Sequence, residues 1–271
     1  MGVINVTPDS FSDGGLAIDP VRAAEIAVAM EAAGADLIDL GAESTRPGAL
    51  PVGTVDEMAR LRPVLEAVAS RVRLPISVDT YKWEVANLAL GAGASIVNDV
   101  SGLQYDPRLG PLAAAQGAPI VLMHTRGRPA DMFEQANYAD VVGEVAAELC
   151  RAVERALAAG IAENRILIDP GLGFAKRAPQ SLATLAGLER LAGLGYPLLV
   201  GPSRKSFLTA ATGARDPDGR DWATAAAVTA AILGGAHIVR VHRVAEMVHV
   251  VRVADAIRTA MTHPEGGADP L

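Results

Sequence analysis

Three polar residues end short apolar runs, at positions where a purely structural junction would favour Gly or Ser. Asp79 ends the run PISVD, Asn98 ends ASIVN and Asp169 ends RILID. A carboxylate can accept two parallel N–H bonds, and an Asn side chain supplies one donor and one acceptor. Together the three residues would suit a flat heterocycle that carries several N–H groups. Each residue taken alone could instead cap the helix that follows its run.

A second group of residues is positively charged and follows the last two apolar runs. Arg240 and His242 lie at the end of HIVRV, and the segment SRKS, residues 203–206, follows PLLVG. Basic side chains and helix N-termini bind phosphate, so this group predicts a phosphate site. Ser203 or Ser206 could also cap the helix that is expected there. Lys205 is one of only three lysines in the chain, and all three fall shortly after an apolar run.

A divalent cation would accompany a bound diphosphate. Mg2+ is held mainly by phosphate oxygens together with one or two protein oxygens, and Asn5, at the end of the first run, is the candidate protein ligand. The five histidines show neither the HxH nor the HExxH spacing, which argues against a zinc site. The segment GPSRK does not match the G-x-S-x-G elbow of serine hydrolases.

Eight short apolar runs alternate with longer segments whose apolar residues recur at helical spacing. The runs are GVIN (2–5), DLIDL (36–40), PISVD (75–79), ASIVN (94–98), PIVLMH (119–124), RILID (165–169), PLLVG (197–201) and HIVRV (237–241). This alternation implies parallel strands joined by right-handed crossovers. Runs that are apolar on both faces favour a closed (β/α)8 barrel in a single domain. The alternative is an open Rossmann-like sheet, for which the lone GLG at 171–173 is weak evidence.

All eight runs of such a barrel would carry polar residues at the same end. These junction residues are Asn5, Asp39 with Glu43, Asp79, Asn98, His124, Asp169, Ser203 with Lys205, and Arg240 with His242. Barrel enzymes place their chemistry at the C-terminal ends of the strands, and phosphate groups often bind between the loops after strands seven and eight. We therefore expect one polar pocket at one face of the barrel.

Composition narrows the class of protein. Half of the 271 residues are hydrophobic but only 4% are aromatic, so the core must be largely aliphatic. A formal charge of −7 argues against nucleic-acid partners and against an anionic membrane surface. There is no signal peptide pattern and no apolar stretch of about 20 residues, the length that a membrane span needs. We expect a soluble, cytoplasmic protein.

The remaining expectations concern the domain limits and the single cysteine. We predict that residues 1–262 form the barrel and that residues 263–271 are a disordered tail. Cys150 lies in a helical pattern, and the sequence predicts that it is a small buried hydrophobic residue without a catalytic role.

Seven motifs, taken in order, resemble the dihydropteroate synthase family and span residues 2 to 242. They are GVINVTPDSFSDGG (2–15), ESTRPG (43–48), SVDT (77–80), NDVSG (98–102), DPGLGF (169–174), GPSRKSFL (201–208) and RVH (240–242). The resemblance implies a pterin-binding TIM barrel and a folate-pathway transferase. Such an enzyme joins 6-hydroxymethyl-7,8-dihydropterin diphosphate to p-aminobenzoate, with Mg2+ assistance, and releases pyrophosphate. Sulfonamides would be competitive ligands, and a homodimer is expected.

The resemblance also implies a role for each matching residue. The pterin would bind Asp79, Asn98, Asp169, Phe174 and Lys205. The diphosphate would bind Asn5, Arg46, Arg240 and His242, with Asn5 near the metal. The aminobenzoate site would be formed by Phe11, Thr45, Arg46, Pro47 and Ser206. The groups acting in catalysis would be Lys205, Arg240, His242 and Asp79.

Two other interpretations use the same barrel. A methyltetrahydrofolate-dependent corrinoid methyltransferase would explain Asp79, Asn98 and Asp169, but it would not explain ESTRPG or GPSRKSFL. A non-catalytic pterin-binding paralogue is suggested by Arg243, which stands where the family usually has an acidic residue. The presence of Asn5 and Lys205 argues against this second alternative.

Overall fold

Eight parallel strands and the helices between them form the predicted (β/α)8 barrel. The structure is a computed structural model that describes residues 1–6, 19–43, 49–213, 216 and 218–262. The strands are β1 (Gly2–Asn5), β2 (Ile38–Gly41), β3 (Ile76–Asp79), β4 (Ile96–Asp99), β5 (Ile120–Met123), β6 (Ile166–Asp169), β7 (Leu199–Val200) and β8 (Ile238–Val239). Each strand falls within one residue of a predicted run, so the predicted fold is confirmed.

Helices of the described residues surround the strands. They are α1 (Pro20–Ala32), α2 (Thr54–Ala69), α3 (Trp83–Gly91), α4 (Leu109–Gln116), α5 (Val141–Ala158), α6 (Ala178–Ala186), α7 (Leu188–Ala192), α8 (Thr209–Thr212), α9 (Asp221–Leu233) and α10 (Val244–Thr262). None of these helices is long and apolar enough to cross a membrane. The predicted tail, residues 263–271, lies outside the described residues.

The wall of the barrel consists of two sheets. Strands β1 to β6 form one parallel sheet in sequence order, and β7 pairs with β8 in a second sheet. Two isolated bridges between described residues join the sheets: Ile168 pairs with Leu198, and Gly2 pairs with Val241. Closure of the wall removes the open edges that a Rossmann-like sheet would have, so that alternative is excluded.

Alternation along the strands divides the barrel interior into an apolar floor and a polar mouth. The floor contains Met1, Leu37, Ile96, Val121, Leu167, Leu199 and Ile238. Successive side chains of a strand point to opposite faces, so residues two positions apart share a face. Asn98 follows Ile96, Asp169 follows Leu167 and Arg240 follows Ile238 at this spacing, which places the polar side chains inside the barrel above the floor.

Cys150 corrects one prediction. This residue is exposed on α5, whose buried face includes Leu149, Ala152 and Val153. Each residue of an α-helix turns the side-chain direction by about 100°, so the position after Leu149 points away from the barrel. The expectation that Cys150 is buried was therefore wrong.

Candidate active site at the barrel mouth

The three acceptor residues predicted from the strand ends meet at the C-terminal mouth of the barrel. Asp79 and Asn98 are directly paired in the register of β3 and β4, and Asp169 ends β6. Asn98 is 4% exposed and Asp169 is 6% exposed. None of the three caps the next helix, because α3, α4 and α6 begin after Lys82, Arg108 and Arg177 respectively. The capping interpretation is excluded for these residues.

Asp39 lies at the centre of a layer of polar side chains inside the barrel mouth, which also contains Asp79, Asn98 and Arg240. The sequence predicted Asp39 only as a strand-end residue. Its carboxylate is fully buried and accepts a hydrogen bond from Arg240 Nε at 2.6 Å. Asn98 Nδ2 lies 3.4 Å from both of its oxygens. Arg240 also donates through Nη2 to Asp79 Oδ2 at 3.1 Å. An acidic residue in the middle of the apolar run DLIDL was the available signal, since a buried carboxylate needs a partner.

Burial shifts the protonation equilibria of the groups around this layer. Burial raises the pKa of Asp79 to about 7, although the Arg240 guanidinium opposes the shift. Burial lowers the pKa of Lys205 to about 8, and the Asp169 carboxylate opposes that shift. Both groups therefore change protonation state near neutral pH, which is typical of residues in a functional site.

Gly41 leaves the room that Asp79 needs. It is the last residue of β2 and lies opposite Asp79 in the register. A Cβ atom at Gly41 would lie 3.3 Å from Asp79 Cβ and 3.5 Å from Asp79 Oδ2. A side chain at this position would therefore crowd the carboxylate.

A tight turn after β6 connects Asp169 to Lys205. Asp169 Oδ1 accepts a hydrogen bond from the backbone N–H of Gly171 at 2.7 Å. Gly171 has φ +65°, and a Cβ atom there would lie 2.0 Å from the carbonyl oxygen of His124, so the turn requires glycine. Lys205 Nζ donates to the carbonyl oxygen of Leu172 and lies 4.6 Å from the centroid of the Phe174 ring. Phe174 thus lies beside Lys205.

Ser203 fixes the imidazole ring of His242. The Ser203 hydroxyl lies 2.9 Å from His242 Nδ1 and accepts a hydrogen bond from the His242 backbone N–H at 3.2 Å. The two contacts together hold the ring in one orientation. Ser203 is a partner of His242, and it does not cap a helix.

Arg204 lies between Ser203 and Lys205 and adopts φ +59°, a conformation that costs energy for a residue other than glycine. Asp221 accepts two hydrogen bonds from its guanidinium, at 3.0 and 3.2 Å. Thr224 Oγ1 accepts from its backbone N–H at 3.0 Å. Arg243 donates to the same Asp221 carboxylate, so the residue that departs from the family pattern joins this support.

Lys82 forms a partly buried ionic cluster that the sequence analysis did not predict. Its ammonium contacts Glu43 at 2.7 Å, Glu57 at 2.6 Å and the carbonyl oxygen of Val52 at 2.6 Å. The backbone N–H of Val52 donates to Glu43 at 3.1 Å. Glu43 directly precedes residues 44–48 and Val52 lies four residues after them, so Lys82 contacts the chain on both sides of this stretch.

The other predicted residues fall in three places. Asn5 ends β1 at the mouth and is partly exposed. Phe11, Thr45, Arg46 and Pro47 lie outside the described residues. Ser206 is exposed and opens a 3-10 turn, Ser206–Leu208, while regular α-helix begins only at Thr209.

Comparison with known proteins identifies the relatives of this barrel. The pterin binding enzyme family matches residues 1–242. A dihydropteroate synthase of Synechocystis is 46% identical over 95% of this chain and 89% of its own length.

Solved structures give the same result. The Yersinia pestis dihydropteroate synthase in a sulfonamide drug complex has a TM-score of 0.90 and 41% identity, covering 96% of this chain and 94% of its own. The Xanthomonas albilineans enzyme in complex with 7,8-dihydropteroate has a TM-score of 0.84 and 38% identity, covering 95% and 92%. These relatives favour the synthase prediction over the methyltransferase alternative. The chain therefore belongs to the pterin-binding enzyme family, within which it is a member of the dihydropteroate synthases.

Proposed function

We propose that this protein, a transferase of folate biosynthesis, condenses 6-hydroxymethyl-7,8-dihydropterin diphosphate with p-aminobenzoate, giving 7,8-dihydropteroate and pyrophosphate. The observation that carries the proposal is the convergence of Asp79, Asn98 and Asp169 with Lys205 at one barrel mouth, beside Arg240 and His242. The relatives that bind 7,8-dihydropteroate and a sulfonamide have the same fold and support it.

The pterin ring would be held by complementary donors and acceptors. Asp169 and Asp79 would accept its N–H groups, and the Asn98 amide would offer one donor and one acceptor. Lys205 would donate to the pterin oxygen and a ring nitrogen, while Phe174 borders the ring. The match is selective, because an analogue lacking one N–H group would leave a buried acceptor without a partner.

The diphosphate would be bound by the groups that follow β8. Arg240 uses Nε and Nη2 for Asp39 and Asp79, and its Nη1 has no hydrogen-bond partner among the described residues. Because the two carboxylates already hold the guanidinium in place, Nη1 would point at the diphosphate without a further loss of side-chain freedom on binding. His242 would donate through Nε2, because its Nδ1 lies against the Ser203 hydroxyl. Arg46 and Asn5 are further predicted ligands.

The residues at the mouth fit Mg2+ that arrives with its diphosphate. Asn5 supplies one amide oxygen, and the described residues contain no group of three His, Cys, Asp or Glu side chains that could hold a metal ion. Mg2+ prefers oxygen ligands and usually keeps several from phosphate and water. When bound, Mg2+ would neutralise charge on the leaving diphosphate.

Bond cleavage would precede bond formation. Arg240 and His242 would stabilise the diphosphate as it takes the electron pair of the C–O bond at the pterin methylene. The remaining cation would be stabilised by the electron-rich ring and by the negative charges of Asp169 and Asp79. The aniline nitrogen of p-aminobenzoate would then attack the methylene carbon and lose its proton to the released pyrophosphate or to water. A substitution of this kind does not need a nucleophile activated by a neighbouring base.

The aminobenzoate would bind outside the pterin, against Phe11, Thr45, Arg46, Pro47 and Ser206. Sulfonamides share the aniline group and would compete for the same place. The Lys82 cluster supports this assignment, because it fixes the residues on both sides of the 44–48 stretch.

We also propose a cytoplasmic homodimer. Val253, Ile257 and Met261 recur every four residues on α10 and are 62%, 43% and 68% exposed, while Trp222 at the start of α9 is 88% exposed. Residues four apart share one face of a helix, so these three side chains form an apolar stripe that a second copy would cover. Analytical ultracentrifugation gives the test: a mass of about twice the 28.0 kDa chain is expected, and a monomer at micromolar concentration would contradict the dimer.

The decisive experiment measures pyrophosphate release with the pterin diphosphate, p-aminobenzoate and Mg2+ present. We expect release only when both substrates are present, together with formation of dihydropteroate. A folded sample without product, beside an active control enzyme, would contradict the synthase proposal. Binding of the pterin without turnover would favour the non-catalytic alternative.

A further inference from the structure

Lys176 is an almost completely buried lysine that the proposed chemistry does not use. Its exposed fraction is 1%, and it stands seven positions after Asp169, at the end of the turn that follows β6. A buried ammonium is costly unless hydrogen-bond partners surround it. The partners of Lys176 therefore indicate what the residue does.

The turn of residues 169–176 folds around the Lys176 side chain. Nζ lies 3.2 Å from the carbonyl oxygen of Gly171, 3.1 Å from that of Phe174 and 2.7 Å from His124 Nδ1. The backbone curls through positive φ angles at Gly171, Gly173 and Ala175, of +65°, +79° and +46°. Ala175 is not glycine, so this conformation is strained and must be held by other contacts. The two hydrogen bonds from Nζ to carbonyl groups supply such contacts.

The neighbours of His124 define the direction of the third hydrogen bond. Glu148 Oε2 lies 2.9 Å from His124 Nε2, and Arg126 donates to the same carboxylate. Hydrogen bonds from His124 and Arg126 lower the pKa of Glu148 to about 2 against the opposing effect of burial, so the group is ionised. An ionised carboxylate requires a hydrogen on Nε2, and burial, with the nearby Lys176 charge, lowers the pKa of His124 to about 4.

The neutral ring therefore leaves Nδ1 as an acceptor, and Lys176 donates to it. All three N–H bonds of the ammonium are thus used. Burial lowers the pKa of Lys176 well below its ordinary value, and the charges of Asp169 and Glu148 oppose that shift.

The turn carries several parts of the proposed pterin site. Asp169 begins it, the Phe174 ring lies against the Lys205 ammonium, and the Leu172 carbonyl accepts a hydrogen bond from Lys205 Nζ. Leu172 lies between the two carbonyl groups that Lys176 binds. A shift of these two carbonyls would therefore move the Leu172 oxygen and the Phe174 ring, and with them the Lys205 ammonium.

We propose that Lys176, supported by His124 and Glu148, is a positioning residue that sets the geometry of Asp169, Phe174 and Lys205 toward the pterin ring. The proposal rests on the proposed function, because it takes these three residues as pterin ligands. Lys176 itself does not touch the substrate. Its terminal nitrogen is the buried hydrogen-bonding group around which the turn of residues 169–176 is built.

The test compares Lys176→Met with Arg177→Met, a change of the next residue, which is exposed. Calorimetry with 6-hydroxymethylpterin measures the affinity for the pterin. Turnover at saturating pterin diphosphate gives the KM for p-aminobenzoate. We expect pterin affinity to fall on the order of tenfold in Lys176→Met, as for the loss of well-placed hydrogen bonds, with little change in the KM for p-aminobenzoate. The Arg177 variant should match the wild type in both measurements.

Three outcomes would overturn the proposal. The first is unchanged pterin affinity in a folded Lys176→Met variant, and the second is equal weakening for both substrates. If Lys176→Met does not fold, Lys176→Gln takes its place, because its amide can still donate to the turn carbonyls. Failure of both variants to fold would assign Lys176 to general stability and would also overturn the proposal.

Two measurements on the wild type complete the experiment. Nitrogen-15 spectra of the histidine rings should show His124 neutral, with Nδ1 unprotonated, at pH 7; a hydrogen on Nδ1 would contradict the hydrogen-bond pattern. Wild-type protein that binds no pterin would contradict the proposed function instead. The two failures are therefore distinguishable.

Discussion

The Nε atom of Arg240 lies 2.6 Å from Oδ2 of Asp39, although the two residues are 201 positions apart in the chain. The pair joins β8 to β2 across the barrel interior, and its second hydrogen bond reaches Asp79 on β3. The position of Arg240 is thus set by two carboxylates. One of them, Asp79, is also a proposed pterin ligand, so the pterin and diphosphate parts of the site are directly connected.

Asp39→Asn should weaken both the fold and the diphosphate site. Removing the charge leaves the largely buried Arg240 with Asp79 as its remaining ionic partner, and breaking a buried ion pair costs about 3 kcal/mol. Urea unfolding should show a loss of that order, and the KM for the pterin diphosphate should rise. Asp36→Asn, at an exposed position just before β2, is the matched control. Equal stability of the two variants would mean that the Asp39–Arg240 pair contributes nothing to the free energy of unfolding.

Asp169→Asn should weaken pterin binding without unfolding the protein. The amide replaces one acceptor oxygen by a donor, so one pterin N–H group would face an N–H group. An unmet buried pairing costs about 1–3 kcal/mol, which corresponds to at least roughly tenfold in affinity. Calorimetry with the pterin measures the effect. Unchanged affinity would show that Asp169 serves only the Gly171 turn.

Ser203→Ala should reduce turnover by releasing the His242 ring. The hydroxyl contacts both Nδ1 and the backbone N–H of His242, and so holds the ring in place. Loss of one hydrogen bond is worth about 0.5–1.5 kcal/mol, so kcat should fall roughly threefold to tenfold. Ser95→Ala, at an exposed position just before β4 and therefore at the opposite end of the barrel, should leave kcat unchanged. If both variants retain full activity, the Ser203 contact has no catalytic consequence.

Acid should destabilise the protein through His124. The unfolded histidine takes up a proton near pH 6.5, whereas His124 in the folded protein stays neutral down to about pH 4. The folded state binds fewer protons between these values, so the stability from this group is complete above pH 6.5 and lost as the pH falls toward 4. The difference corresponds to about 3 kcal/mol.

Urea unfolding at several pH values measures this effect. His124→Gln should flatten the dependence between pH 6.5 and 4, while the exposed control His249→Gln should keep it. Glu148, whose pKa is lowered to about 2 in part by His124, should add a further loss below its ordinary pKa of 4.5 in the control variant. A wild-type protein equally stable at pH 7 and pH 4.5 would refute the prediction.

Pyrophosphate with Mg2+ should tighten sulfonamide binding. Arg46 belongs to both the predicted diphosphate set and the predicted aminobenzoate set, so anionic oxygens that bind it would also place one wall of the second site. A ligand that finds its pocket already formed avoids the cost of forming it. Calorimetry with and without pyrophosphate compares the two affinities. Identical affinities would show that the aminobenzoate site is formed independently of the diphosphate.

The sequence predicts the location of those site residues whose positions depend only on strand order and on the alternation of side chains along a strand. Asp79, Asn98 and Asp169 could be placed together because the C-terminal ends of parallel barrel strands share one face. The Asp39–Arg240 pair could not, since it depends on how strands distant in the chain tilt across the interior. The ion pair between Glu57 and Lys82 could not be predicted either. Glu57 lies in the first turn of α2, where acidic residues are common in any helix, so its position in the sequence does not indicate a buried partner.

A local sequence pattern can be compatible with two structures, and it then does not decide between them. Ser203 next to an expected helix is compatible with capping, and its contact with His242 requires β7 and β8 to lie side by side. A cysteine side chain is compatible with either the buried or the exposed face of α5. In the structure Leu149 lies on the buried face and Cys150 on the exposed one. Lys176 could be noticed as one of three lysines after a strand, but its burial follows from the shape of a turn that sequence spacing does not specify.

The two seams of the barrel wall have a mechanical consequence. Asp79, Asn98 and Asp169 stand on the continuous six-stranded sheet, whereas Lys205 and Arg240 follow the two strands of the smaller sheet. Backbone hydrogen bonds cross both seams: Met1 donates to Val239 and accepts from Val241 at one, and Ile168 donates to Pro197 at the other. The smaller sheet is therefore fastened to the larger one on both sides. A wall closed in this way transmits strain between the acceptors of the heterocycle and the guanidinium that would bind the leaving group, so a displacement on one side is felt on the other.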